Sequence, residues 1–172
     1  LYLNDNRVQR VEGLDGCRGL QTLWLFSNEI TTLEGLDPLG SLRELWLQNN
    51  RIGALGSLEA LVNLRVLCLA GNPIGELKQL EALALLPALH ELSFQDPHFD
   101  DAPVAAAPAY RETVVMHLKQ VAVLDGEAVG ARERAEVEDT YLRGVLDFND
   151  TVEELRRASQ RRAEELEQQR AR

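Results

Sequence analysis

The sequence predicts an α/β fold: a right-handed solenoid with a parallel sheet on its concave side and 3₁₀ or helical segments on its convex side. A C-terminal cap and a long C-terminal helix are expected after it. Three observations support this. Asparagine recurs at a constant interval of 22 residues within one repeated frame. Leucine accounts for 25 of the first 92 residues but only six of the last 80. The final 42 residues contain no proline.

The repeated frame is LxLxxNx[IV]xx[LV], and its asparagines are Asn6, Asn28, Asn50 and Asn72. The alternation in LxL predicts a short strand with both leucines pointing inward. The asparagine can bond to backbone groups in the turn that follows. The three-residue spacing of the later apolar residues suits a 3₁₀-like return. A single coil cannot bury its own leucines, so stacked coils must share a core.

Residues 1–96 therefore hold about 4.5 repeats of 22–25 residues. The chain starts inside a frame at Leu1, so we expect it to be a piece of a longer protein with earlier repeats. The fourth repeat is the longest and has room for a helical turn or two on the convex side. The fifth lacks the asparagine and has Pro97 in its place.

This frame resembles the 22-residue, SDS22-like class of leucine-rich repeat proteins over roughly residues 1–126. Residues 97–130 resemble the C-terminal cap of intracellular members. The matching positions are Pro103, Tyr110, Arg111, Leu118 and Leu124-Asp125-Gly126. Such a cap is needed because the last coil would otherwise leave its apolar face in water.

The residues between the inward leucines should lie on the concave face. One column contains Tyr2, Trp24, Trp46, Cys68 and Ser93, and the next contains Asn4, Phe26, Gln48, Ala70 and Gln95. Parallel strands lie about 4.8 Å apart, so the two tryptophan rings should stack side by side. Rigid aromatic residues on a sheet are typical interface anchors, although they can also serve local packing alone. The predicted partner-binding residues are Tyr2, Trp24, Phe26, Trp46, Gln48 and Cys68.

Residues 131–172 are predicted to form a C-terminal helix or coiled-coil extension. Its apolar residues follow steps of four and three and form one helical stripe. That stripe, a second predicted partner-binding surface, contains Val137, Tyr141, Val145, Phe148, Val152 and Leu155. Two questions stay open at this point. The segment from Asp147 to Asp150 could end one helix and cap another, and the charged residues after Leu155 fit either a solvated helix or half of a coiled coil.

Composition excludes several classes of function. The net charge is −10 and no basic face is evident, so neither nucleic acid nor membrane is an expected partner. No apolar run reaches the roughly 18 residues of a membrane span. Cys17 replaces an apolar residue of other repeats and is expected to be a buried thiol. Cys68 is expected to face solvent, which fits a reducing compartment.

Catalysis has no support in the sequence. A glycine-rich phosphate loop, a metal-spaced Cys/His cluster and a nucleophile–base set are all missing. His98 and His117 lack ligand spacing, and the adjacent carboxylates Asp100 and Asp101 are expected to be solvated. We therefore expect no enzyme, and no catalytic residue, metal, cofactor or small-molecule substrate.

Some details resemble ciliary leucine-rich repeat proteins: the LWLxxN frame, the Asp96-Pro97 step, the LDG cap, and the helix from Tyr141 to Leu155. The resemblance implies a cytoplasmic, non-enzymatic scaffold or adaptor of the ciliary or flagellar axoneme. The central apparatus of the axoneme is one candidate location. Its partners would be axonemal or cytoskeletal proteins. The alternatives are a phosphatase-regulating subunit, a dynein light chain-like subunit, and a spliceosomal adaptor, which the lack of a basic surface disfavours.

Overall fold

The computed structural model describes residues 1–56 and 58–170 and confirms the predicted α/β solenoid. The chain divides into two compact units, Leu1–Glu133 and Arg134–Arg172. The first unit contains the repeats together with the cap. The described part of the second unit is helical. Positions 171–172, which fall within the predicted extension, lie outside the described residues.

A six-stranded sheet runs through the first unit in sequence order. Its strands are β1 (Thr22–Trp24), β2 (Glu44–Trp46), β3 (Val66–Cys68), β4 (Glu91–Ser93), β5 (Val123–Leu124) and β6 (Glu127–Ala128). Strands β1 to β5 are parallel and β6 pairs antiparallel with β5. Tyr2 adds an isolated parallel bridge to Trp24 on the other edge. The register aligns equivalent positions of successive repeats, so each column of the sequence is a column in space.

The inward leucines form one continuous core, as predicted. Leu23, Leu45, Leu67 and Leu92 are paired across the sheet and are fully buried. The leucines of the return segments pack against them; Leu39, Leu42, Leu61 and Leu64 are also buried. Because each coil covers the leucines of the next, burial depends on stacking and not on any single coil.

The repeated asparagines connect neighbouring coils through the backbone. The side-chain amide of Asn50 donates to the carbonyls of Leu25 and Leu47, both at 2.9 Å, and its oxygen accepts from the backbone N–H of Ile30 at 3.0 Å. Asn28 and Asn72 make the same set of bonds one coil away in either direction. The predicted role of the asparagine in the turn is therefore confirmed.

The convex side and the cap carry the helical segments. The longer fourth repeat forms a 3₁₀ helix over Leu77–Leu85, the geometry that the three-residue spacing favours. The cap contains a second 3₁₀ segment (Pro103–Ala106), helix α1 (Tyr110–His117), and the β5–β6 hairpin.

Asp125 holds the end of strand β4, where the equivalent N–H groups of Leu25, Leu47 and Leu69 bond to a backbone carbonyl of the next strand. Its carboxylate accepts from the backbone N–H groups of Phe94 at 2.8 Å and Gln95 at 3.1 Å, and from the Tyr110 hydroxyl at 2.8 Å. Burial, followed by the negative charge of Asp125, raises the pKa of the Tyr110 hydroxyl above its usual value. The hydroxyl thus remains a hydrogen-bond donor that ties helix α1 to the last parallel strand.

The C-terminal helix α2 spans Ala131–Arg170 without interruption. The alternative in which Asp147 to Asp150 break the helix is therefore wrong. Two ion pairs at four-residue spacing, Arg143 with Asp139 and Arg157 with Glu153, lie on its surface. Such pairs add a few tenths of a kcal/mol each, about 0.3–0.5, to an exposed helix.

The expectation of a buried thiol at Cys17 is wrong, because this side chain is exposed. Its equivalents in the next two coils, Leu39 and Leu61, are fully buried. The repeat pattern therefore assigned Cys17 to the position of buried leucines, but it did not predict the exposure of this side chain.

Candidate protein-binding surface

Aromatic side chains from successive coils form a continuous patch on the concave sheet, which we call the aromatic wall (Tyr2, Trp24, Phe26 and Trp46). Trp24 and Trp46 are directly paired in the β1–β2 register. Their ring centroids lie 6.0 Å apart at an interplanar angle of 58°, and the Tyr2 ring lies 4.6 Å from Trp24 at 69°. The rings therefore lie side by side as predicted, but they are tilted and not stacked face to face.

The aromatic wall remains open to solvent at its Tyr2 end. The side chain of Tyr2 is 66% exposed, whereas Trp24, Phe26 and Trp46 are half-buried. The indole N–H groups of Trp24 and Trp46 are covered by protein atoms and have no hydrogen-bond partner among the described residues. An unsatisfied buried donor destabilises a fold by about 1–3 kcal/mol. Local packing alone does not explain why two such donors occur in adjacent coils.

A loop after β4 folds back over the other half of the concave face. This return loop (residues 96–101) is tightened by an antiparallel bridge between Asp96 and Phe99. The Phe99 ring lies 5.9 Å from Phe26, and the Asp96 carboxylate accepts a hydrogen bond from the Gln48 side-chain amide at 3.3 Å. The return loop therefore reaches from the fifth coil back to the second.

Gln48 and Cys68 are buried, which corrects the prediction that both face solvent. Gln48 is 2% exposed and Cys68 is 4% exposed. The return loop covers Gln48, and Cys68 is a short side chain between Trp46 and Ser93 in the same column. Of the six predicted concave residues, the structure thus leaves the four aromatic ones at least partly accessible.

Carboxylates surround the buried end of the aromatic wall. Burial, together with the negative charges of Glu91, Asp96, Asp125 and Glu44, raises the pKa of the Cys68 thiol to about 12. Glu44 and Glu91 lie on the same face as the aromatic column, because residues two apart in a strand share a face. Both are half-buried. The sheet beside the tryptophans is therefore a negatively charged surface.

The predicted stripe on helix α2 lies on one helix face and is largely in solvent. Phe148 is 67% exposed, Leu155 is 66% exposed, and Tyr141 and Val145 are also exposed. Val137 and Val152 are half-buried. Leu142 and Leu146 widen the stripe on one side and are exposed as well. The helix and the aromatic wall are separate surfaces, one in each compact unit.

Two features of this surface escaped the sequence analysis. The return loop was recognised as unusual only through Asp96-Pro97, and nothing in the repeat pattern indicates which coils it touches. Asp125 was recognised as part of the LDG cap, but the repeat pattern does not indicate that its carboxylate accepts from the N–H groups of Phe94 and Gln95. Across residues 1–56 and 58–170, no group of three or more His, Cys, Asp or Glu side chains is arranged to hold a metal ion. The described helices include none with the length and hydropathy of a membrane span.

Comparisons with known proteins agree with the fold. A family profile described as leucine-rich repeat matches residues 18–145. A chain in the crystal structure of the Drosophila melanogaster SNF/U2A' complex is similar with a TM-score of 0.71 and 29% identity, over 77% of this chain and 75% of that one. An internalin (inlF) from Listeria monocytogenes is similar in fold, with a TM-score of 0.53 and 22% identity, over 72% of this chain and 33% of that one. The search of curated proteins found no match.

The matched region extends from the first coil through the cap into helix α2 and covers well over half of the sequence. Leucine-rich repeat proteins of this kind are generally non-enzymatic modules for protein–protein interaction, so the fold supports a scaffold. The evidence consists of the stacked frames, the bonds that Asn28, Asn50 and Asn72 make between coils (the asparagine ladder), and the family match. It shows that the chain belongs to the leucine-rich repeat family.

Proposed function

We propose that this chain is a non-enzymatic adaptor that holds a partner protein against the aromatic wall. The main support is the in-register row of Tyr2, Trp24 and Trp46 on the concave sheet, with ring centroids 4.6 and 6.0 Å apart. Large aromatic side chains held rigidly at the centre of a surface are the residues that most often dominate binding energy. A rigid wall also loses little conformational entropy when a partner binds.

The test compares two double variants of the protein in its native complex. Trp24→Ala with Trp46→Ala removes the centre of the aromatic wall. Val62→Ala with Leu85→Ala is the matched control, because it removes two apolar side chains that are exposed outside the strands. Co-elution with the complex on size exclusion is the measurement, and far-UV circular dichroism checks that each variant is folded.

We expect the tryptophan variant to dissociate from its complex while the control variant stays bound. Truncation of a central aromatic anchor costs about 2 kcal/mol or more, which weakens binding roughly 30-fold per residue. Full retention of a folded tryptophan variant would remove the aromatic wall from the proposal.

We further propose the ciliary or flagellar axoneme as the site of assembly, with axonemal or cytoskeletal proteins as partners. What supports this setting is the resemblance of the LWLxxN frame, the Asp96-Pro97 step and the LDG cap to ciliary members of the family, together with the tail helix after the cap. Imaging of the tagged full-length gene product in a ciliated cell tests it. Axonemal signal is expected, and exclusion from the cilium would refute the setting.

A second setting, a subunit of a U2A'-like complex, is favoured by a different observation. The similarity to a chain of the SNF/U2A' complex covers about three quarters of both chains at 29% identity. The sequence analysis disfavoured a spliceosomal adaptor because the chain has no evident basic surface. The structural similarity to a chain of the SNF/U2A' complex is the argument for it. Nuclear localisation in the same imaging experiment would support this second candidate.

A further inference from the structure

We propose that the partner segment bound by the aromatic wall is basic, with an arginine or lysine side chain that lies across β3 between the carboxylates of Glu44 and Glu91. This inference rests on the proposed function and specifies the chemistry of the partner. It uses contacts and charges on the concave face that the repeat pattern alone does not reveal.

The strand register fixes the positions of the two carboxylates. Glu44 is paired with Val66, and Val66 is paired with Glu91. The two glutamates are therefore two strand spacings apart, about 10 Å between backbones, with an apolar side chain between them. A long cationic side chain could lay its methylene stem on Val66 and reach a carboxylate with its charged end, as such side chains commonly do.

Among the described residues, neither Glu44 nor Glu91 forms an ion pair, and Asp96 is bonded to the Gln48 amide and a backbone N–H. After burial, the leading causes of the raised pKa of the Cys68 thiol are four carboxylates, Glu44 and Glu91 among them. Uncompensated negative charge on a partly buried surface attracts a complementary partner and repels an acidic one.

The neighbouring side chains suit a cation in two further ways. Trp46 lies two residues beyond Glu44 on the same face, and a tryptophan ring is the preferred aromatic platform for a guanidinium or ammonium group. The side-chain oxygen of Gln48, a residue that is almost fully buried, accepts no hydrogen bond from the part of the chain that the structure describes. Arginine carries five donors and no acceptor, which matches a surface that is rich in acceptors.

The experiment uses intrinsic fluorescence, because Trp24 and Trp46 are the only tryptophans of the chain and both belong to the aromatic wall. Two synthetic peptides are titrated into the protein, one of repeated Ala-Leu-Arg and one of repeated Ala-Leu-Gln. We expect the arginine peptide to change the tryptophan emission and to bind at least about tenfold more tightly than the glutamine peptide. Added salt should weaken its binding.

The decisive comparison is between variants that remove equal charge. Glu44→Gln with Glu91→Gln should weaken binding of the arginine peptide about tenfold, whereas Glu12→Gln with Glu34→Gln, two exposed carboxylates outside the strands, should change it less than about twofold. Equal weakening in both variants, equal binding of both peptides, or no response to the arginine peptide overturns the inference.

Failure of this inference is distinguishable from failure of the proposed function. If the tryptophan variant leaves its native complex while the Glu44 and Glu91 variant stays bound with unchanged affinity, the aromatic wall is the binding site and the basic partner is excluded. If the tryptophan variant stays bound, the proposed function itself is refuted.

Discussion

Asn50→Ala tests whether the asparagine ladder stabilises the stack. The side chain is 6% exposed, so water cannot replace its bonds without opening the turn. The substitution leaves the Ile30 N–H without an acceptor. The carbonyls of Leu25 and Leu47 each lose one donor but keep another, from Asn28 and Asn72.

The expected magnitude follows from these bonds. A buried N–H without an acceptor costs about 1–3 kcal/mol, and each bond lost from a carbonyl that keeps a second donor costs roughly 0.5–1 kcal/mol. We therefore expect the free energy of unfolding to fall by about 3 kcal/mol, a large part of the ~5–15 kcal/mol typical of a domain. Urea unfolding followed by far-UV circular dichroism measures the difference.

Asn6→Ala provides the matched control within the same frame. Asn6 bonds to the carbonyls of Leu3 and Asn4, but it is exposed and water can satisfy those groups. We expect a loss below about 1 kcal/mol. If Asn50→Ala lowers the free energy of unfolding by no more than Asn6→Ala does, the role of the asparagine ladder is refuted.

Four further predictions concern individual residues. Gly35→Ala should destabilise the protein by at least about 2 kcal/mol in the same unfolding assay, because φ is +86° and a Cβ would lie 1.8 Å from a backbone oxygen of the preceding coil; unchanged stability would contradict this contact. Iodoacetamide at pH 8.5 should label Cys17 in the folded protein and Cys68 only after unfolding, as mass spectrometry can show. The pKa of Cys68 is raised from 9.0 to about 12, so its contribution to stability should be present below pH 9 and be lost as the pH rises towards 12. Tyr110→Phe should cost about 1.5–2 kcal/mol, since a buried hydrogen bond to a carboxylate disappears; no change in urea midpoint would show that this bond is dispensable.

The repeat pattern predicted the parts of the fold that recur. The side chains of Leu23 and Leu45 point inward and Trp24 and Trp46 are paired because a strand has a period of two and equivalent residues of these two coils are 22 positions apart. The same regularity predicted the asparagine bonds. Each of these predictions depends on one coil and its neighbour and so can be made from local sequence.

The errors concern residues whose surroundings are not periodic. Gln48 occupies a concave position by phase, yet it is buried because a loop 48 residues away in sequence folds over it. Cys17 is exposed although the equivalent Leu39 and Leu61 are buried. Periodicity assigns a side chain to a face, but it does not determine what covers that face. For the same reason, the repeat pattern did not predict the contact between the rings of Phe99 and Phe26.

The central claim, that the concave aromatic wall is the surface in contact with the partner, is tested most directly by site-specific photo-crosslinking in the native complex. A benzophenone amino acid replaces Tyr2, at the open end of the aromatic wall, in one protein and Leu85, exposed on the 3₁₀ helix of the fourth repeat, in another. The account predicts a covalent adduct with the partner from position 2 and none from position 85. An adduct from position 85 alone would contradict it.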